Sequence, residues 1–373
     1  MRRIGLLKGE GPCRGRRAAA LAIITWIPLL ALSAIEGRAI GPTPRESFLF
    51  DFGAYAHFLV AIPLFFAAEA AAAKRLSEAG LHIITVGLVD PADAPALHAA
   101  VARNQHLRES FLPELVILAI AVLGLSAPTL GLLPTNTALS WHTVNIGGRA
   151  HLSWAGVWYR FVSLPIFQFV LLWWLWRIAV WTRYLWDISR LRLRLMPAHA
   201  DHAGGLGILA DAHAPLALFV FAAGWVPSAN AAFQVCFAGA QIGAYKAVMA
   251  AYLVLGALVC FGPLLVFVPA LVRARWSGIQ EYDRLAKTYA RSFDDKWLHG
   301  GAQEEGLLGS PDIQSLADMA NSYKVVDDMR PLPFGVRDVA LFIVIALLPW
   351  VPLILLVIPL RDVMGALSRV LLF

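Results

Sequence analysis

The densest group of chemistry-bearing side chains in this 373-residue chain is His199-Ala-Asp201-His202-Ala-Gly204-Gly205. Two histidines and a carboxylate are ligand types that hold zinc or nickel. His199, Asp201 and His202, with Asp211 and His213 further on, therefore form a candidate metal group. The glycines point to a different chemistry. Gly204-Gly205-Leu206-Gly207 stands just before an apolar helix, where free backbone N–H groups can cradle a phosphate or a lipid headgroup. Arg190, Arg192 and Arg194 precede the loop and favour an anionic lipid in that role.

A second set of polar groups lies inside apolar runs, where ionisable and amide side chains are costly. Asn230, Gln234 and Gln241 differ by 4 and 7 positions. At 3.6 residues per turn they fall within ~40° of one helix face. Amides on one face can replace hydration water along a permeation path or hydrogen-bond between helices. His57 shares a small-residue face with Ala54, Ala61, Ala68 and Ala72 and is expected to point into a bundle, as a relay or gating group or as a satisfied core histidine. Glu69 ends the face that begins at Asp51. It is expected to pair with Lys74 or Arg75, or to ring a pore mouth. Arg160 is expected to snorkel to headgroups. Trp154, Trp158, Trp173, Trp174, Trp176, Trp181 and Trp186 make seven of the chain's 13 tryptophans and read as aromatic belts at the two interfaces.

The His/Asp/Gly loop resembles the tail of the H-x-H-x-D-H metal motif of metallo-β-lactamase-fold hydrolases. The first histidine position holds Pro197, however, and Leu191–Met196 stands where a strand should be. No αββα domain fits in Thr182–Ala214, which excludes that family.

The elements that must position these residues are apolar runs. Seven occur, at roughly Ala18–Ile35, Phe50–Ala73, Phe111–Leu133, Trp154–Val180, Pro215–Ala240, Ala247–Val272 and Val339–Leu360. A spanning helix needs ~20 mostly apolar residues, and continuous rather than alternating apolarity selects helices over a barrel. The composition agrees: 59% hydrophobic, 15% charged, mean hydropathy +0.65. The net charge of +6 falls in alternate inter-helix segments, around Arg2–Arg17, Lys74/Arg75, Arg183–Arg194 and Arg273–Arg291. That pattern places the N-terminus in the cytoplasm and, with seven spans, the C-terminus outside. It is topology rather than a nucleic-acid surface. Cys13, Cys236 and Cys260 have no C-x-x-C spacing and no disulfide framework.

The expected fold is all-α: a polytopic transmembrane helix bundle of about seven spans with a small helical cytoplasmic part. Residues 1–272 form the bundle, with cytoplasmic loops 74–110 and 182–214. Residues 273–336 form amphipathic helices, and residues 337–373 the last span and tail. In the middle part, Ile279, Tyr282, Leu285, Tyr289, Phe293 and Trp297 make one aromatic stripe on a helix continuous with the sixth span. The stripe must bury against the 74–110 segment or a neighbouring subunit. Ser310-Pro311-Asp312 opens a second helix.

His57–Glu69, Phe161–Trp176, Leu195–Leu209 and Leu307–Asn321 resemble a set of uncharacterised bacterial polytopic membrane proteins. The resemblance implies a bacterial inner-membrane protein and carries no activity.

The leading functional expectation is a homo-oligomeric channel or small-solute permeation protein, with enzymatic activity left open. The fifth span lines its path with Asn230, Gln234 and Gln241, and His57 or Glu69 modulates it. The alternatives are a membrane enzyme acting on a lipid-linked substrate through His199, Asp201 and His202, and a sensor or scaffold. No cofactor is implied. The expected partners are the bilayer, ions or small solutes, and further copies of the chain, with no nucleic acid.

Overall fold

A computed structural model describes residues 12–124, 140–146, 149–299 and 311–357. It is an all-α bundle. Helix α1 covers Pro12–Ile35, α2 Phe52–Thr85, α3 Ala94–Glu109 and α4 Leu112–Leu123. A short antiparallel hairpin follows, β1 (Thr143–Ile146) and β2 (Arg149–Leu152). Then come α5 Trp154–Ser189, α6 Gly207–Ala238, α7 Ile242–Trp297, α8 Pro311–Asp327 and α9 Val336–Leu356.

Among the described residues, six helices are long and apolar enough to cross a membrane: α1, α2, α5, α6, α7 and α9. This count differs from the seven expected. Within the described residues the third apolar run contributes the 12-residue α4, short of the ~20 residues a span requires. The remainder of Phe111–Leu133 and the tail Val363–Phe373 lie outside the described residues. One end of the bundle carries the hairpin and residues 36–51. The other, the basic face, carries α3, residues 190–206 and the α7–α8 arm.

Prolines shape the spans. In α2 the residues Tyr55–Ala61 form π-helical turns, closed by the Ile62 N–H donating to the His57 carbonyl. In α5 Tyr159–Ser163 do the same, closed by Leu164 N–H on Tyr159. Pro63 and Pro165 follow directly. A proline ring clashes with the carbonyl four residues back and cannot donate to it, so each helix widens by one residue just before it. Pro263 and Pro349 instead tighten α7 and α9 into short 3₁₀ stretches.

Aromatic and small residues fill mid-bundle. Phe58, Phe65, Ile62 and Ala68 of α2 are fully buried against Phe167 and Trp174 of α5 and Phe219 of α6. Gly256 of α7 meets α6 so closely that a Cβ there would lie 2.6 Å from Val220. A second core at the basic face joins Ile83, Leu185, Ile188, Leu206, Phe267 and Leu271. At the hairpin end, Trp141 donates its indole N–H to Asp51 (2.9 Å), Arg38 grips the carbonyls of Ser140 (3.0 Å) and Thr143, and Glu36 caps the first N–H of α5 at 2.8 Å.

The helix of α7 runs unbroken from Val268 to Trp297, and its aromatic stripe packs on α8. Within the chain it is α8, rather than the 74–110 segment, that lies against this helix, and Leu285 of the stripe stays exposed. The join is polar at its tip: Asp312 accepts from Lys296 (2.8 Å) and the Trp297 indole (3.1 Å), and the Tyr289 hydroxyl donates to the Asp312 carbonyl.

Candidate functional site

The His/Asp/Gly loop is a folding node. His202, Gly204 and Gly205 all adopt positive φ (52°, 64° and 95°), which wraps the backbone around the Asp201 carboxylate. Asp201 accepts from the N–H groups of Ala203 (2.8 Å), Gly205 (3.1 Å) and Gly207 (2.8 Å). The anion in the glycine cradle is thus the chain's own carboxylate at the start of α6, which takes the Gly205 N–H that the sequence offered to a headgroup. Partial burial opposes ionisation of Asp201. The three backbone donors and His199, whose Nδ1 lies 2.8 Å from the carboxylate, outweigh it and hold the pKa below the usual carboxylate value. Arg330 braces the loop from the α8–α9 connection, donating its backbone N–H to His202 and its guanidinium to the Asp201 carbonyl (2.7 and 2.8 Å). Among the described residues no three His, Cys, Asp or Glu side chains converge as metal ligands.

Two arginines of the strip are ion-paired and still largely exposed. Leu193 bridges Val89 in antiparallel fashion, which sets Arg192 on Asp93 (2.9 Å) and Arg194 on Asp90 (3.2 Å). The Arg192 hydrogen bonds lower the Asp93 pKa, and the Ala92 N–H, then Arg194, lower that of Asp90. Arg190 lies over the Trp186 ring.

The five residues expected to line a path do not come together. Gly239, at φ +67°, ends α6, so Gln241 lies beyond the helix and off the face of Asn230 and Gln234. Asn230 and Gln241 are exposed, and Gln234 is half-buried. His57 Nδ1 donates to the Gly53 carbonyl (2.6 Å), and its ring meets the Phe167 ring at 4.6 Å. His57 and Glu69 are about 18 Å apart along α2. Packed rings fill that interval, with Phe65–Phe219 at 5.2 Å and Trp174–Phe219 at 4.9 Å.

Glu69 pairs across the bundle with Arg177 of α5 at 2.6 Å, while Lys74 turns to Glu78. Sequence reasoning missed Arg177. Its signal was a lone cation inside the Trp173–Trp181 run, at the same end of its span as the lone acid Glu69. The pair forms part of the wall of a cleft of about 510 Å³ between α2, α3 and α5. The apolar wall includes Ala72, Ala73, Leu76, Trp173, Trp174 and Trp181. Asn104, Gln105 and Arg108 of α3 supply a polar side, and exposed Leu81 and Ile84 extend the lining to the outside of the bundle.

Two of the tryptophan walls are pinned from behind. Trp174 donates to the Phe65 carbonyl (3.2 Å), and Trp181 donates to His213 Nε2 (2.7 Å). His213 carries its proton on Nδ1 and donates it to the Cys260 carbonyl at 2.8 Å. The cleft is therefore held open by hydrogen bonds outside it. Asn104 Oδ1 is buried beside it with no hydrogen-bond partner among the described residues. Such a site can bind a molecule with an apolar body and one polar end.

No protein-family model, curated protein or solved structure matches the chain.

Proposed function

We propose that the chain is a multi-pass membrane protein that takes an amphipathic, lipid-like ligand sideways from the bilayer into the cleft between α2, α3 and α5. The observation that carries this reading is the make-up of the cleft: tryptophan and alanine walls meeting an ion pair and three polar side chains of α3. Ligand pockets are mostly apolar with a few convergent polar groups and enclose ~300–1,000 Å³. The cleft also lies among the interfacial tryptophans, the depth at which a lipid's chain meets its headgroup. The reading sets the basic face, and with it the N-terminus, on the cytoplasmic side of a bacterial inner membrane. The alternation of basic loops supports that side.

A permeation path along α6 has less support. Gln241 leaves the face of Asn230 and Gln234, rings fill the core between His57 and Glu69, and α8 lies against part of the stripe on which a homo-oligomer was expected. An enzymatic loop has less still, since Asp201 is consumed in holding the backbone.

The test is Ala73→Trp, which fills the cleft from its own wall. Native mass spectrometry of protein stripped in mild detergent is expected to retain one lipid-sized adduct per wild-type chain and none on the variant. Equal retention by both would refute the reading.

A further inference from the structure

The charges in the cleft select the ligand's head. Resting on the cleft as a ligand site, we infer that the head is an oxyanion, a carboxylate or a phosphate ester, and that it docks on Arg177 by displacing the Glu69 carboxylate.

Three charged side chains line the cleft: Arg108, Arg177 and Glu69. The formal balance is one positive charge. Arg177 and Glu69 are each a little under one-third exposed (29% and 28%), so both reach the open space. A guanidinium has five N–H donors in a planar fork that matches an oxyanion. Only Nη1 of Arg177 is engaged, by one Glu69 oxygen. The other donors make no hydrogen bond among the described residues, and they are not sealed from the cleft. The Trp174 ring sits 5.6 Å from the Arg177 guanidinium carbon and limits where the head group can turn.

Arg108 stands on α3, opposite the pair, and makes no ion pair among the described residues. An incoming anion therefore meets two cations and one competitor. Glu69 keeps Arg177 paired while the cleft is empty, since an unpaired cation this close to hydrocarbon is costly. A cationic head would have to use Glu69 against the two arginines. An uncharged head would leave the pair undisturbed.

The two substitutions then act with opposite sign. Glu69→Gln removes the competitor, and the full-length protein in detergent is expected to bind oleate or phosphatidate about tenfold more tightly, a change of about 1.4 kcal/mol. Arg177→Gln is expected to weaken both by tenfold or more, with Arg177→Lys between it and the wild type. Dodecyltrimethylammonium should respond in the reverse sense. Comparing oleate with phosphatidate and with inorganic phosphate shows whether the head is carboxylate or phosphate and whether the chain is needed.

The inference is overturned if Glu69→Gln weakens anion binding or Arg177→Gln leaves it unchanged. Failure of the cleft reading looks different: Ala73→Trp would then leave all binding intact. The Glu69→Gln/Arg177→Gln double variant, which leaves no unpaired buried charge, guards against misfolding of either single one. It is expected to keep only the preference for oleate over the alkylammonium that the remaining Arg108 confers.

Discussion

Replacing Asp201 by alanine removes one carboxylate and strands the three N–H groups of Ala203, Gly205 and Gly207. A hydrogen bond to a charged group contributes ~1.5–3 kcal/mol, and loss of a helix-start acceptor costs ~0.5–2 kcal/mol. The loop is only partly buried, so water recovers a share, and the net cost is about 2–4 kcal/mol. At ~2–4 °C per kcal/mol for a chain of this order of size, the melting midpoint should drop by roughly 4–16 °C.

The assay is intrinsic tryptophan fluorescence during heating in detergent micelles at a single scan rate, because membrane proteins unfold irreversibly and their midpoints depend on rate. Asp201→Asn, which keeps one acceptor oxygen, should lose less. The sign with pH follows from the lowered pKa. The folded carboxylate binds its proton less readily than the unfolded one, so its contribution is complete at neutral pH and is lost as pH falls through the folded value, below the normal carboxylate range. The gap between wild type and Asp201→Ala should thus be constant from pH 7 to 5 and close only in strong acid. A midpoint within 1 °C of wild type in the alanine variant would sink the argument. So would a fall in wild-type stability on adding a metal chelator, since it would return the loop to metal binding.

Two further outcomes follow from the packing. Burial pushes His142 down to about 4, against an upward pull from Asp51; below pH 6.5 the unfolded chain takes up the proton first, so stability should fall by up to about 3 kcal/mol between pH 6.5 and 4, and His142→Phe should flatten that slope in the same melting assay. At Gly278 a Cβ would lie 2.5 Å from the Pro197 side chain and 3.2 Å from Val326, so Gly278→Val should cost about 1–3 kcal/mol by overpacking and raise amide hydrogen exchange in both the 195–205 loop and α8; a change in neither would contradict the close fit of α7 on that loop.

The amino-acid sequence by itself determines the class of structure. Runs of apolar residues with no alternation can satisfy their backbone in a membrane only as helices. Local signals were also legible, because they involve neighbours within a turn or two: Pro311 and Asp312 at the start of α8, the continuation of the sixth run into α7, and prolines that disturb helices. The span count was less so, since the run at Phe111–Leu133 is apolar enough by composition while its described helix, α4, has only 12 residues.

What only the tertiary structure decided is partner choice. Glu69 could equally have met Lys74 or Arg75 by sequence distance. It meets Arg177 because α2 and α5 run side by side with their lone charges at one depth. The Asp201 carboxylate and the glycine N–H groups were both visible as separate offers to a ligand. Three positive-φ residues close one onto the other. The aromatic stripe of α7 announced that something must meet it, and α8 of the same chain does so at Tyr289 and Trp297. Period and composition fix which face of a helix is apolar or charged. Which other face it meets depends on how the helices are arranged around one another, and that is set by all their packing surfaces together.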